Sequence, residues 1–204
     1  MLHIAFGSVS DPAFMAARRG LILWPRGFTA RAYQLVFNNP NIISGYQNTF
    51  IVVVCATALN LVMTSLGAYV LSRRQFALKK IMMLMVVVTM YFSGGMIPNY
   101  ILLMQLGLPN PRWAILLPSA LSVYNMILMR TYFDGIHPEL RESAVIDGAG
   151  EWRTLIQIYL PLSMPVLATI ALFVGVGHWN DWFTGAYYVT HQKLIPAATF
   201  LQTV

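Results

Sequence analysis

The densest run of residues able to do chemistry lies between positions 135 and 153. It reads Gly135-Ile136-His137-Pro138-Glu139-Leu140-Arg141-Glu142-Ser143-Ala144-Val145-Ile146-Asp147-Gly148-Ala149-Gly150-Glu151-Trp152-Arg153. Pro138 suits a first helical position, and Glu139 suits the positive end of a helix dipole. Leu140, Ala144 and Val145 share one stripe, with Glu139, Glu142 and Ser143 beside it. Gly148 can take the left-handed conformation that ends a helix. A second helical run is expected from Glu151 to Tyr159, closed by Pro161. The first helix, about nine residues long, is too short to be stable alone in water, so its apolar stripe needs a cover. Ser143, Ala144, Gly148 and Ala149 are small enough for a close backbone approach. Two covers fit: a groove on a partner protein, or the chain's own apolar segments and the membrane surface. The residues alone leave both open.

Other polar groups sit inside apolar surroundings. Asp181 and Asn180 are flanked by Trp179, Trp182, Tyr187 and Tyr188. That set suits an outward cavity in which aromatic faces and a carboxylate meet a polyhydroxylated ligand. It equally suits an aromatic belt at a membrane interface with one solvated acid. Ser93-Gly94-Gly95, followed by Pro98, interrupts an apolar stretch, because Pro98 cannot donate to the carbonyl of Gly94. Irregular backbone at membrane depth is tolerated where it is buried in protein or lines a watery cavity. Tyr91, Phe92, Asn99 and Tyr100 could therefore line a path, or the break could be a hinge packed on a neighbour. Asn60 and Asn125 are expected to bond between helices. Cys55 and the methionines read as packing atoms.

These groups need elements to hold them, and composition says which kind. The chain has 204 residues, 57% hydrophobic and 10% charged. A soluble domain is nearer one quarter charged, so this chain lacks the polar material to coat a globule. Its net charge of +6 is spread over the ends of apolar runs rather than gathered on one face, which argues for a bilayer and against nucleic acid. A single Cys excludes an internal disulfide. A bilayer core needs about 20 apolar helical residues, and four stretches qualify: about 49–71, 81–106, 113–133 and 164–189. Arg130, near the end of the third, can snorkel to the interface. Asp181 lies about 26 Å along a helix from Met164 at about 1.5 Å per residue, near the far surface. The fold class is thus all-α, a polytopic membrane helix bundle.

Lys and Arg near span ends set orientation. Arg73, Arg74, Lys79 and Lys80 crowd the first connection, while Arg112 stands in the second. The first connection is therefore expected in the cytoplasm, and with it the loop 134–163. Arg18, Arg19, Arg26 and Arg31 point the other way, but most lie more than about 15 residues from Thr49. Residues 1–48 are expected to form an external segment, with a turn at Pro25-Arg26-Gly27 and a short helix capped by Thr29 and running through Val36. It also holds Trp24, Phe28, Tyr33 and Phe37. Residues 190–204 are expected to be an external loop leading into a further apolar segment past Lys193. Both ends read as though a span were missing beyond them.

No glycine-rich phosphate loop ending in Lys-Ser or Lys-Thr occurs, nor a His-Glu-x-x-His pattern, a Cys pair or a nucleophile elbow. The four His are scattered. No metal site, bound cofactor or catalytic residue is expected in this chain.

Glu142-Ser143-Ala144, three residues, Gly148, nine residues, Ile158, one residue, then Leu160-Pro161 resembles the EAA loop of binding-protein-dependent ABC importer permeases. Six of seven motif positions match across twenty residues, Ser143 standing where the family has Ala. Phe92-Ser93-Gly94-Gly95-Met96-Ile97-Pro98, Met129-Arg130-Thr131-Tyr132-Phe133 and Gly177-His178-Trp179-Asn180-Asp181-Trp182-Phe183 are similar to the carbohydrate-uptake (MalG/LplC-like) branch. The resemblance covers nearly the whole chain. It implies a permease of six spans, four of them here, in the bacterial inner membrane. It also implies a second permease subunit, two ATPase subunits that bind the ATP, and an external solute-binding protein. Under it Glu142, Ser143, Ala144, Asp147, Gly148, Ile158, Leu160 and Pro161 couple to the ATPase. Tyr91, Gly94, Gly95, Pro98, Asn125, Trp179, Asn180 and Asp181 are candidates for the translocation path. The competing expectation is a self-contained secondary transporter using the broken span and Asp181 for ion coupling.

Overall fold

The computed structural model describes residues 6–11, 27–73, 76–108, 112–189, 191 and 194–203. Arg18, Arg19, Trp24, Pro25, Arg26, Arg74 and Lys193 fall outside them. All regular structure among the described residues is helical. The helices are α1 Arg31–Phe37, α2 Pro40–Ser72, α3 Lys79–Tyr91, α4 Met96–Gln105, α5 Trp113–Leu116, α6 Val123–Asp134, α7 Pro138–Ile146, α8 Glu151–Leu162, α9 Met164–Asn180, α10 Phe183–Tyr188 and α11 Ala197–Thr203.

α2 is the axis of the bundle, 33 residues long. Asn39 caps it by accepting the Asn41 N–H at 3.0 Å, and Pro40 occupies the first turn, where a missing N–H costs nothing. The boundary expected near residue 49 therefore falls inside a continuous helix. The polar residues that suggested a loop are buried: Asn48 accepts from Arg112 Nη2 at 2.9 Å, and Thr49 accepts the Ala197 N–H at 2.9 Å. α1 starts close to expectation, with Ala30 as its cap residue and Thr29 Oγ1 accepting from the Arg31 N–H.

α6 and α9 pack along α2, and α11 lies against its first half. Ala68, Tyr69, Leu71, Met126, Met129, Phe133, Leu155, Tyr159, Val166 and Ile170 form the main buried cluster. Close approach is built in by glycine: a Cβ on Gly67 would lie 2.6 Å from the sulfur of Met126. α3 has no buried residue, and its apolar surface is uncovered by this chain.

One helix, α2, is long and apolar enough by itself to cross a membrane. Two bent pairs extend the number to three: α3 with α4, at 113°, and α8 with α9, at 81°. The first bend falls at Ser93-Gly94-Gly95, as the residues predict. Gly95 holds φ +86°, and its N–H bonds the Ser93 hydroxyl at 3.1 Å. The 113–133 stretch is a correction. It is two helices, α5 and α6, separated by Leu117–Ser122. Pro118 supplies no N–H, and the Ser119 hydroxyl donates back to the carbonyls of Ile115 and Leu116. The 164–189 stretch also breaks, at Asp181 and Trp182. Pro161 does not close the second loop helix, which continues to Leu162. Leu155–Tyr159 is wound as a π-helix, and this wider turn eases the clash a proline ring makes with the carbonyl four residues back.

Candidate functional site: a capped loop helix and a polar cavity in the bundle

α7 has the start and stop expected of it. Pro138 and Glu139 stand in the first turn. At the other end Gly148 takes φ +76°, its N–H reaches the Val145 carbonyl at 3.0 Å, and the Ala149 N–H reaches the Ala144 carbonyl at 2.8 Å. That pair of bonds is a Schellman cap. Ala144 faces the bundle and is buried. Leu140, Val145 and Ile146 do not: Ile146 is 84% exposed, and Glu142, Ser143, Asp147 and Gly148 are exposed beside it. An uncovered apolar stripe on a nine-residue helix is thus left facing outward.

The loop is tied to the bundle through Glu151. Its carboxylate accepts from the Tyr69 hydroxyl and from Arg141 Nη2, the latter at 2.6 Å, and lies 3.9 Å from Arg73 Nε. The Tyr69 hydroxyl also sits 3.3 Å from the Glu151 carbonyl. Arg73 lies over the rings of Tyr69 and Tyr159, 3.9 and 4.7 Å from their centroids, a cation–π arrangement. Tyr69, Phe133 and Tyr159 meet edge to face, which suits their quadrupoles. The Tyr69 hydrogen bond, followed by that of Arg141, holds the Glu151 carboxyl below the usual carboxylate range against a partial desolvation that acts the other way. Three segments therefore converge on one carboxylate: α7 through Arg141, α8 through Glu151, and the end of α2 through Tyr69 and Arg73. Ile158 and Leu160, from the sequence motif, pack into the core behind this junction, and Pro161 is exposed.

A second feature lies farther along the bundle. A cavity of about 350 Å³ is lined by Asn60, Ser119, Leu121, Ser122, Asn125, Phe173, Val174, Gly177, His178 and Asp181. It opens where the α5–α6 break and the end of α9 face α2. Asn60 Nδ2 donates to the Ser119 carbonyl at 3.0 Å and its Oδ1 accepts from Thr64 at 3.2 Å, an interhelical bond of the kind its position suggests. Asp181 Oδ1 accepts the Thr184 N–H at 3.0 Å and so starts α10.

Of the candidate path residues, the structure brings Asn125 and Asp181 together. Asn180 turns away, bonding the Val176 carbonyl of its own helix at 2.9 Å, and Trp179 packs against Tyr46. Tyr91, Gly94, Gly95 and Pro98 lie on the outer elbow between α3 and α4, with Tyr91 76% exposed. Sequence reasoning missed Ser119, Ser122 and His178 as lining residues. His178 was findable, three residues before Asp181 and so on the same helix face. The serines were not, because the helix break that turns them inward was not expected.

A long axial helix, two sharply bent spans, a polar cavity between them and an outward-facing capped helix define a helical membrane permease. The model of the family described as "Binding-protein-dependent transport system inner membrane component" matches residues 62–200. The chain is 37% identical over 203 residues to Protein LplC of Bacillus subtilis (strain 168), covering 100% of this chain and 68% of that protein. It is 35% identical over 203 residues to the polygalacturonan/rhamnogalacturonan transport system permease protein YtcP of the same organism, covering 100% and 71%. A chain from the crystal structure of a bacterial ABC transporter involved in the import of the acidic polysaccharide alginate superposes with a TM-score of 0.94 at 30% identity, covering 99% of this chain and 72% of that one. The chain belongs to the binding-protein-dependent transport system inner membrane component family.

Proposed function

We propose that this chain is the permease subunit of an ATP-driven importer for an oligosaccharide or related carbohydrate, and that α7 is the handle by which an ATPase subunit moves it. The supporting observation is the uncovered stripe of Leu140, Val145 and Ile146 on a helix too short to stand alone, closed by Gly148 and anchored at Glu151. A groove on a cytoplasmic ATPase is the cover that makes such a helix stable, with Glu142 and Asp147 as its exposed charge partners. The names of the relatives, permeases of ABC and polysaccharide transport systems, support the substrate class. The working assembly has a second permease, two ATPase subunits holding the ATP, and an external solute-binding protein. Catalysis belongs to the ATPase subunits. Nothing observed favours the ion-coupled secondary transporter.

Copurification with the ATPase and binding-protein-dependent uptake test this reading. Glu142→Lys and Gly148→Val are expected to insert normally while uptake is uncoupled from ATP hydrolysis; normal transport by both removes the role of α7. Orientation is tested separately with Val145→Cys in a Cys55→Ala background, which an impermeant thiol reagent should label from the inner side alone.

A further inference from the structure

The cavity in the bundle carries an inference that rests on the carbohydrate reading and narrows it. Counting His178 as neutral, Asp181 is the charged residue among those lining the cavity, and neither Lys nor Arg joins it. Among the described residues the basic groups Arg73, Lys79, Lys80, Arg130, Arg141 and Arg153 belong to the loop end of the bundle. Arg130 is paired there with Asp134 at 3.3 Å, and Arg141 with Glu151. Arg112 lines a different cavity and is bonded to Asn48. The Asn125 side chain faces the polar cavity with the residue only 5% exposed, and its amide makes no hydrogen bond with another described residue. A buried amide left without a partner is costly unless something fills the space beside it.

The geometry points to a subsite for an uncharged sugar unit at Asn125 and Asp181, one that discriminates against uronate units. The Asn125 amide supplies both a donor and an acceptor for sugar hydroxyls. One oxygen of Asp181 is taken by the Thr184 N–H, and the other is left to accept a hydroxyl. A volume of about 350 Å³ is at the small end for ligand sites, enough for a short stretch of glycan. A ligand carboxylate placed there meets Asp181 at close range in a low-dielectric wall. At an effective dielectric constant near 20 and a separation of about 7 Å, that repulsion disfavours the acidic ligand at least tenfold. The relatives named for alginate and polygalacturonan handle acidic polysaccharides, so this subsite marks a departure from them.

The test uses the assembled transporter in proteoliposomes, with its partner permease, ATPase subunits and binding protein. The probes are a labelled galacto-oligosaccharide and the galacturonate oligosaccharide of the same linkage, which differ in the oxidation of one carbon per ring. The readout is the ratio of their uptakes in each variant relative to wild type, so that selection by the binding protein cancels. Asp181→Asn is expected to raise the acidic-to-neutral ratio about tenfold. Asn125→Asp, which adds a second carboxylate, is expected to lower it by a similar factor. A ratio unchanged in both variants overturns the subsite while leaving the carbohydrate importer intact. Failure of wild type to take up either glycan overturns both.

Discussion

Gly148 separates two explanations of a loop glycine that sequence alone confounds: a left-handed backbone, and room for a partner. Its φ of +76° lies where an L side chain pushes Cβ toward the following carbonyl, a cost of about 1–2 kcal/mol. A Cβ added there meets nothing within 4 Å, so within this chain the penalty is conformational and not steric. One to two kcal/mol corresponds to roughly a 5- to 30-fold fall in the population of correctly capped handle. Asn tolerates the left-handed region, Ala less so, and β-branched Val least. The series Gly148→Asn, Gly148→Ala and Gly148→Val should therefore lose ATPase-coupled uptake in that order, with Asn within a few-fold of wild type. The assay is uptake per ATP hydrolysed in proteoliposomes at matched insertion, with copurified ATPase as a control. Should Asn prove as damaging as Val, backbone conformation is not what the glycine supplies, and the reasoning from φ fails.

Gly67→Ala places a Cβ 2.6 Å from the Met126 sulfur in a buried contact. It should cost about 1–3 kcal/mol, seen as a lower Tm of the detergent-solubilised protein, with much of the loss recovered in the Gly67→Ala/Met126→Ala double variant. Asn60→Ala removes the bond to the Ser119 carbonyl and should cost about 0.6 kcal/mol, the average for interhelical hydrogen bonds in membranes. The Glu151 carboxyl titrates below its unfolded value in the native state. Its contribution is thus complete above the ordinary carboxylate pKa of about 4.3 and is lost as pH falls through the depressed folded value. The Tm difference between wild type and Glu151→Gln should be flat from pH 5 upward, as rough bounds, and shrink only in stronger acid; a difference that grows on acidification contradicts the Tyr69 and Arg141 bonds as its source.

The loop helix shows how much of the site was legible in one dimension. Pro138, Glu139 and Gly148 are local signals, each acting through backbone preference or the charge at a helix end, and α7 begins and ends where they place it. Gly94, Gly95 and Pro98 likewise predicted a break, and the chain bends there by 113°. Pro118 carried the same information within the 113–133 stretch, but the apolar run around it pointed to one continuous span. Hydropathy measures what a segment is dissolved in, not whether its hydrogen-bond ladder is continuous.

By itself the sequence determined the all-helical membrane class, the capped handle and the positions of most helix breaks. These follow from apolar length, proline's missing donor and glycine's freedom at positive φ, all properties of a few adjacent residues. Only the tertiary structure decided that Tyr69 and Glu151, 82 positions apart, share a hydrogen bond, and that Asn125 rather than Asn180 faces the cavity with Asp181. The reason is geometric. A helix of 3.6 residues per turn offers every direction within one turn, and which one faces a partner is set by packing between helices distant in sequence.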